Sequence, residues 1–284
     1  MKRLSLAAIM VISAALSFFS CDKVEEDRYQ VSTIEDVSVE FPAVDKGSVY
    51  RKVLLDEFTG QLCTNCPAGH AILEELHGRY GDTLVIMGIH YGQLARPFGS
   101  TFTYDFRTEA GNTIGDYFNI DGIPAAVVNR EYKSGGWLRD SWQTVVANTD
   151  RSVVYAALQL INQFNASKNE IKANVKVTML KDYPNPLQLA LYVIEDGVVK
   201  PQKDGTVTID EYTHNHVFRA SFTGNAFGDY LNGGAALENG GEYLYASTMS
   251  LNDKDWNADN CSVVAVLYDK SENIVLQVES VKFK

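Results

Sequence analysis

The chain has 284 residues, 45% hydrophobic and 21% charged, the composition of a globular protein with room for about two domains. Its formal net charge of −11 repels phosphate backbones, which excludes a nucleic acid as partner. Four cysteines, at positions 21, 63, 66 and 261, are too few for a disulfide scaffold at this length.

The N-terminus reads as a targeting segment. Lys2 and Arg3 are followed by the apolar run Leu4 to Phe19, which is short against the roughly 20 residues a membrane helix needs. Ser17-Phe18-Phe19-Ser20-Cys21 resembles a bacterial lipoprotein signal. The resemblance implies a signal peptide over residues 1–20, cleavage before Cys21, and a lipid anchor on Cys21. The acidic stretch Asp22-Lys23-Val24-Glu25-Glu26-Asp27 resembles the surface-export signal of Bacteroidetes lipoproteins, and reads equally as a solvated linker. Residues 21–35 are taken as an acidic tether.

Alternation at Val37, Val39 and Phe41 predicts a short strand. Val53-Leu54-Leu55 leads through Asp56-Glu57-Phe58 into Thr59-Gly60, a buried-type strand ending in a turn. Ile72, Leu73, Leu76 and Tyr80 lie on one helix face that stops at Gly81. Leu84 to Ile89 is a continuous apolar run suited to a central parallel strand. Residues 91–104 read as a loop. Phe106, Ala110, Ile114 and Phe118 step by four, as in a helix. Gly122-Ile123-Pro124 turns into the strand Ala125 to Val128, and Leu138, Ser141, Trp142 and Val145 mark a further helix face. From about residue 151 the period becomes two. Ile171, Ala173, Val175, Val177 and Met179 alternate with polar neighbours, and strands are expected over 153–163, 188–195, 214–222, 243–250, 262–268 and 274–282. That run without a helix predicts an antiparallel sandwich.

The chemistry-bearing motif is Cys63-Thr64-Asn65-Cys66 between a strand and a helix. A cysteine at a helix N-terminus meets unsatisfied N–H groups and the positive end of the dipole, which favour thiolate. Thiolate is the nucleophile of disulfide exchange, so Cys63 is the candidate attacking group and Cys66 the resolving one. Zinc is the competing chemistry, with His70, His77 and His90 close in sequence. A zinc site usually needs four ligands, and no second Cys-x-x-Cys or paired histidine motif is present. No metal is therefore expected. His70 and His77 are read as exposed helix residues, His214 and His216 as ordinary residues on one face of a strand, and Cys261 as a buried free thiol.

The segment from Val53 to Pro67 resembles the strand and turn of thioredoxins. The resemblance implies that Glu57, six residues before the first cysteine, is the buried acid that moves protons for Cys66. It also implies that Pro124 is a cis-proline opposite the disulfide, with Ile123 offering its backbone to a bound peptide. The chain departs from the pattern at Leu62, where an aromatic residue is common, and at Thr64-Asn65, where Gly-Pro is usual. The signal, the Glu-Phe-Thr-Gly-x-x-Cys-x-x-Cys-Pro segment, His214-Asn215-His216-Val217-Phe218-Arg219 and the ending Val263 to Val281 together resemble the twenty-eight-kilodalton outer-membrane-protein family of Bacteroidetes.

The expected architecture is an α/β thioredoxin-like domain over residues 36–150, followed by an all-β antiparallel sandwich domain over 151–284. The expected function is that of an outer-membrane lipoprotein, facing the periplasm or the cell surface, that exchanges protein disulfides. Its partners would be protein thiols or disulfides, or an envelope redox partner, and the membrane through its lipid. The redox-active disulfide Cys63–Cys66 would serve without a cofactor. The alternative is a non-catalytic binding or assembly lipoprotein that uses the same fold as scaffold.

Overall fold

The computed structural model describes residues 37–284. The leader, the lipidation site Cys21 and the tether of residues 21–35 lie outside the described residues. Val37 to Phe41 form no strand. This segment is held by side chains instead, with Ser38 bonded to Asn174 and Gln163.

In chain order the elements are β1 (Val53–Thr59), α1 (Cys66–Tyr80), β2 (Leu84–His90), α2 (Glu109–Tyr117), β3 (Ala125–Val128), β4 (Trp137–Leu138) and α3 (Trp142–Asn148). There follow β5 (Ala156–Asn165), β6 (Glu170–Met179), β7 (Gln188–Glu195), β8 (Val198–Asp204), β9 (Val207–His214) and β10 (Val217–Ser221). The chain ends with β11 (Asp229–Tyr230), β12 (Glu242–Ser250), β13 (Cys261–Asp269) and β14 (Ile274–Lys282). None of the helices among the described residues is long and apolar enough to cross a membrane.

A nine-stranded mixed sheet organises the molecule, in the order β14-β13-β7-β10-β2-β1-β3-β4 with β11 added beside β7. β1 and β2 are parallel, and β3 and β4 continue antiparallel. The large sheet does not stop at residue 150, because β10 lies parallel to β2 with Val217 beside Gly88. Gly88 permits the approach. A Cβ there would stand 3.3 Å from the His216 carbonyl oxygen, to which Gly88 N donates at 2.7 Å.

Both faces of the sheet are covered, which explains why every residue of β1, β2, β7 and β13 is buried. Val53 and Leu55 pack under α1 and α3 with Leu73, Leu76 and the buried Trp142. On the same side of β7 and β13, a second sheet of β12-β6-β5 closes over Leu189, Leu191, Val193, Val263 and Ala265. The opposite face carries Leu54, Phe58, Met87 and Ile89 under α2, continuous with Tyr192, Val264 and Tyr268.

α2 is shorter than its periodicity predicts. It begins after Thr108, whose hydroxyl caps Gly111 N at 3.0 Å, and leaves Phe106 in the preceding loop. β8 and β9 pair only with each other. They form a hairpin with a two-residue loop, Gly205-Thr206, in which Gly205 has φ +54°.

Candidate functional site

β1 runs out at Thr59, and residues 60–65 turn the chain back into α1. Cys66 is the first residue of α1, with Asn65 at the N-cap. Cys63 therefore stands one turn ahead of the helix rather than at its first position. Cys63 N donates to Gly60 O at 3.0 Å and closes that turn. The two cysteines are disulfide-bonded, with Cα atoms 5.5 Å apart.

The Ile123–Pro124 peptide bond is cis and leads into β3, which lies antiparallel to β1 with Phe58 opposite Ala125. Cys63 Sγ lies 3.7 Å from the Ile123 carbonyl oxygen. In the disulfide this sulfur has no proton to donate, whereas in the reduced thiol it would be a donor at the same place. The cysteines, Ile123 and Pro124 thus meet across the end of β1.

The chain itself encloses the cysteines, which are only 2% and 0% exposed. On one side Leu62 N donates to Leu94 O at 2.8 Å. Gly60 is required there, since a Cβ would come within 2.6 Å of Leu94 O. On another side lies the β8–β9 hairpin. Gln202 Nε2, fully buried, donates to Cys63 O at 2.9 Å and to Gly60 O at 3.3 Å. Lys203 N bonds Gln61 O at 2.8 Å, and Gly205 N bonds Thr64 O at 2.9 Å. Residues 198–213 are polar and alternate weakly, so periodicity alone does not mark them as strands. The signal that marks the hairpin is Asp204-Gly205 between two β-prone runs.

Glu57 is buried on the side of β1 that faces α1. With Thr59, Pro67, His70, His90, Tyr212 and His214 it lines a cavity of about 460 Å³. His70 is a half-buried partner of Glu57, not the exposed helix residue expected. Its Nε2 is 2.9 Å from Thr59 Oγ1 and 3.3 Å from Glu57 Oε1. The Glu57 contact is at ion-pair distance without hydrogen-bond alignment. His70 Nδ1 is 2.7 Å from the Tyr212 hydroxyl on the hairpin.

His214 and His216 do not share a strand face either. His214 ends β9, with Nε2 3.3 Å from Lys200 O. His216 sits at φ +56° in the turn to β10, with Nδ1 3.2 Å from Asp196. His77 is exposed on α1 and its ring lies 5.4 Å from that of His216.

The charges follow from burial. Desolvation, with the neighbouring histidines and Arg219 adding to it, holds His90 well below the ordinary histidine range. Desolvation and then His70 hold His214 down to about 3. Both are neutral at physiological pH. Burial also disfavours the His70 imidazolium, but Glu57 and Glu74 outweigh it, and His70 titrates above the ordinary range. Among the described residues no three His, Cys, Asp or Glu side chains are grouped to hold a metal ion. Cys261, the first residue of β13, is free and buried.

Residues 111–284 match the family described as outer membrane protein Omp28. The match includes Ile123, Pro124 and the hairpin, and begins after the Cys-x-x-Cys segment. No curated protein matches the chain. Among solved structures, HBP35 of Porphyromonas gingivalis aligns with a TM-score of 0.63 and 18% identity, over 84% of this chain and 76% of that one. This is a likeness of fold. An Agrobacterium tumefaciens protein aligns with a TM-score of 0.48 and 10% identity, over 84% of this chain and 96% of that one. A domain of the outer membrane lipoprotein Omp28 from Porphyromonas gingivalis is 23% identical over 48% of this chain and 93% of its own, with a TM-score of 0.31. Because the family match spans well over half of the sequence, the protein is a member of the outer membrane protein Omp28 family, and it belongs to the outer membrane.

Proposed function

We propose that this protein is an envelope lipoprotein, anchored through lipid on Cys21, that exchanges disulfides with protein substrates through Cys63 and Cys66 on a thioredoxin-like arrangement. The observation that carries this reading is the Cys63–Cys66 disulfide set just before α1 and facing the cis Ile123–Pro124 bond. The strand order β2-β1-β3-β4, with one parallel and two antiparallel pairings, supports it.

In this reading Cys63 is the attacking thiolate. Ile123 offers its carbonyl to the extended backbone of the substrate, and Pro124 shapes that surface. Cys66, in the first turn of α1, resolves the mixed disulfide. Glu57, buried below that helix, takes the Cys66 proton.

A second reading is favoured by the enclosure of the cysteines. With the hairpin bonded to Gly60, Gln61, Cys63 and Thr64, the disulfide is a staple inside a binding or assembly module, which carries its function on other surfaces. An insulin-reduction assay separates the two, with the Cys63→Ser variant as control. Exchange chemistry predicts turnover at least tenfold above the variant. Equal, near-background rates for both proteins overturn the exchange reading and leave the staple.

A further inference from the structure

The cavity, which reaches Pro67 next to Cys66, is lined by four imidazoles, His70, His90, His214 and His216, and they are not equivalent. His90 has no hydrogen-bond partner at either ring nitrogen, and His214 has none at Nδ1. Both are neutral groups among rings, His90 stacked on Phe106 at 4.1 Å and tilted against His214 at 5.4 Å. His70 has the Thr59 hydroxyl and, further off, the Glu57 carboxyl at Nε2, and the Tyr212 hydroxyl at Nδ1. Glu57 Oε1 is buried with no aligned hydrogen-bond partner, and His70 Nε2 stands against it at 3.3 Å. The groups that face His70 are Glu57 from β1, His90 from β2, Glu74 from its own helix, Asp204 from β8, and Tyr212 and His214 from β9. Burial pushes the Tyr212 hydroxyl up to about 12, so it keeps its proton and serves as a neutral hydrogen-bond partner.

We propose that His70 is a positioning residue that relays protons between Glu57 and the Tyr212 side of the cavity, and so sets the pH dependence of chemistry at Cys63–Cys66. The proposal rests on the exchange reading for its direction. In the resolving step the Cys66 thiol gives its proton to the Glu57 carboxylate, and the Cys66 sulfur attacks Cys63 of the mixed disulfide. The Cys63–Cys66 bond forms, the bond from Cys63 to the substrate sulfur breaks, and the substrate leaves as thiolate with the electron pair. The protein dithiol is oxidised and the substrate disulfide reduced. Glu57 then passes its proton to Nε2 of His70 in its neutral form, which makes the imidazolium, and the imidazolium releases its Nδ1 proton to the Tyr212 oxygen as the Tyr212 hydroxyl gives its own proton to solvent. Without His70 the Glu57 carboxyl loses the titratable group that stands 3.3 Å from it, and turnover of the acid slows.

The test runs the same path in reverse, on the full chain. The oxidised protein is reacted with dithiothreitol between pH 5.5 and 8.5, quenched by alkylation, and digested to quantify the labelled Cys63–Cys66 peptide. His70→Gln should reduce roughly tenfold more slowly than wild type at neutral pH, with a ratio of rates that changes across the pH range. A ratio that stays within twofold, or is constant with pH, overturns the relay. If His70→Gln does not fold, the wild type still decides. The NMR titration midpoint of the His70 ring should differ between the oxidised and reduced protein, and identical midpoints overturn the proposal. Background insulin turnover would remove the exchange reading without touching this test, because dithiothreitol needs no protein-recognition surface.

Discussion

Arg130 Nε donates to Asp56 Oδ2 across 3.0 Å, with neither side chain exposed. The guanidinium also donates to the Tyr192 hydroxyl at 2.9 Å, and lies 5.2–5.6 Å from the ring centroids of Tyr192, Phe227 and Tyr268. Asp56 belongs to β1, Arg130 follows β3, and the rings come from β7, the loop before β11, and β13. A charged pair thus joins the N-terminal and C-terminal halves at the centre of the molecule, on the face opposite the cavity.

Removing one partner leaves a buried charge without compensation. Arg130→Ala is expected to lower stability by about 3–5 kcal/mol, a large part of the total for a domain. Replacing both partners with apolar residues, Asp56→Leu with Arg130→Met, should recover much of that loss. Urea denaturation of the single and double variants tests this. A double variant as unstable as Arg130→Ala would show that the geometry of the pair, rather than the stranded charge, is what matters.

Acid should weaken the protein through His90 and His214. Their folded pKa values lie below the ordinary histidine value of about 6.5, and His214 is held down to about 3. The unfolded chain therefore binds protons that the folded chain refuses. The stability these residues contribute is complete above pH 6.5 and is lost as the pH falls below it, for His214 at roughly 1.4 kcal/mol per unit down to about 3. His70 has the opposite sign. Its raised pKa contributes stability that is complete below 6.5 and lost as the pH rises through the folded value. Urea midpoints at pH 7.5, 5.5 and 4.5 should fall steeply for the wild type and less steeply for His214→Asn. Parallel curves would refute the assignment.

Cys261 should resist alkylation. Burial, with Glu195 adding to it, pushes its thiol up to about 12, so little thiolate forms at pH 8 and none of it is accessible. After mild reduction of the native protein, iodoacetamide should label Cys63 first, and Cys261 only in denaturant. Peptide-resolved mass measurement would reveal native labelling of Cys261, which contradicts its place at the start of β13.

Gln202→Ala should loosen the hairpin from the disulfide loop. The side-chain amide donates to Cys63 O, Gly60 O and Lys203 O, and its removal strands buried carbonyls at a cost of about 1–3 kcal/mol. Hydrogen exchange at the Lys203 and Gly205 amides should accelerate, and dithiothreitol should reduce the Cys63–Cys66 bond faster. Unchanged exchange at those amides would mean that the backbone bonds alone hold the hairpin.

Local pattern was enough for much of this molecule. The apolar runs Val53 to Leu55 and Leu84 to Ile89 announce strands buried on both faces, because only such strands need no polar side. The alternation from Ile171 to Met179 announces a strand with one wet face. The Cys-x-x-Cys spacing brings two sulfurs within bonding reach, and Ile123–Pro124 marks the turn that meets them. What no local pattern carries is which distant groups meet. Val217 lies beside Gly88 because a glycine leaves room for the His216 carbonyl, and that single pairing joins the two halves in one sheet. His70 reads as a solvated helix residue until α1 is laid over Glu57 and β9 brings Tyr212 to its other nitrogen. The sequence by itself determined most of the apolar elements and brought the two cysteines within bonding reach. Only the tertiary structure decided that a polar hairpin encloses that disulfide and that His70 binds its proton more tightly than a free imidazole while His90 and His214 bind theirs less tightly, because burial and Coulomb interaction depend on distances between segments far apart in the chain.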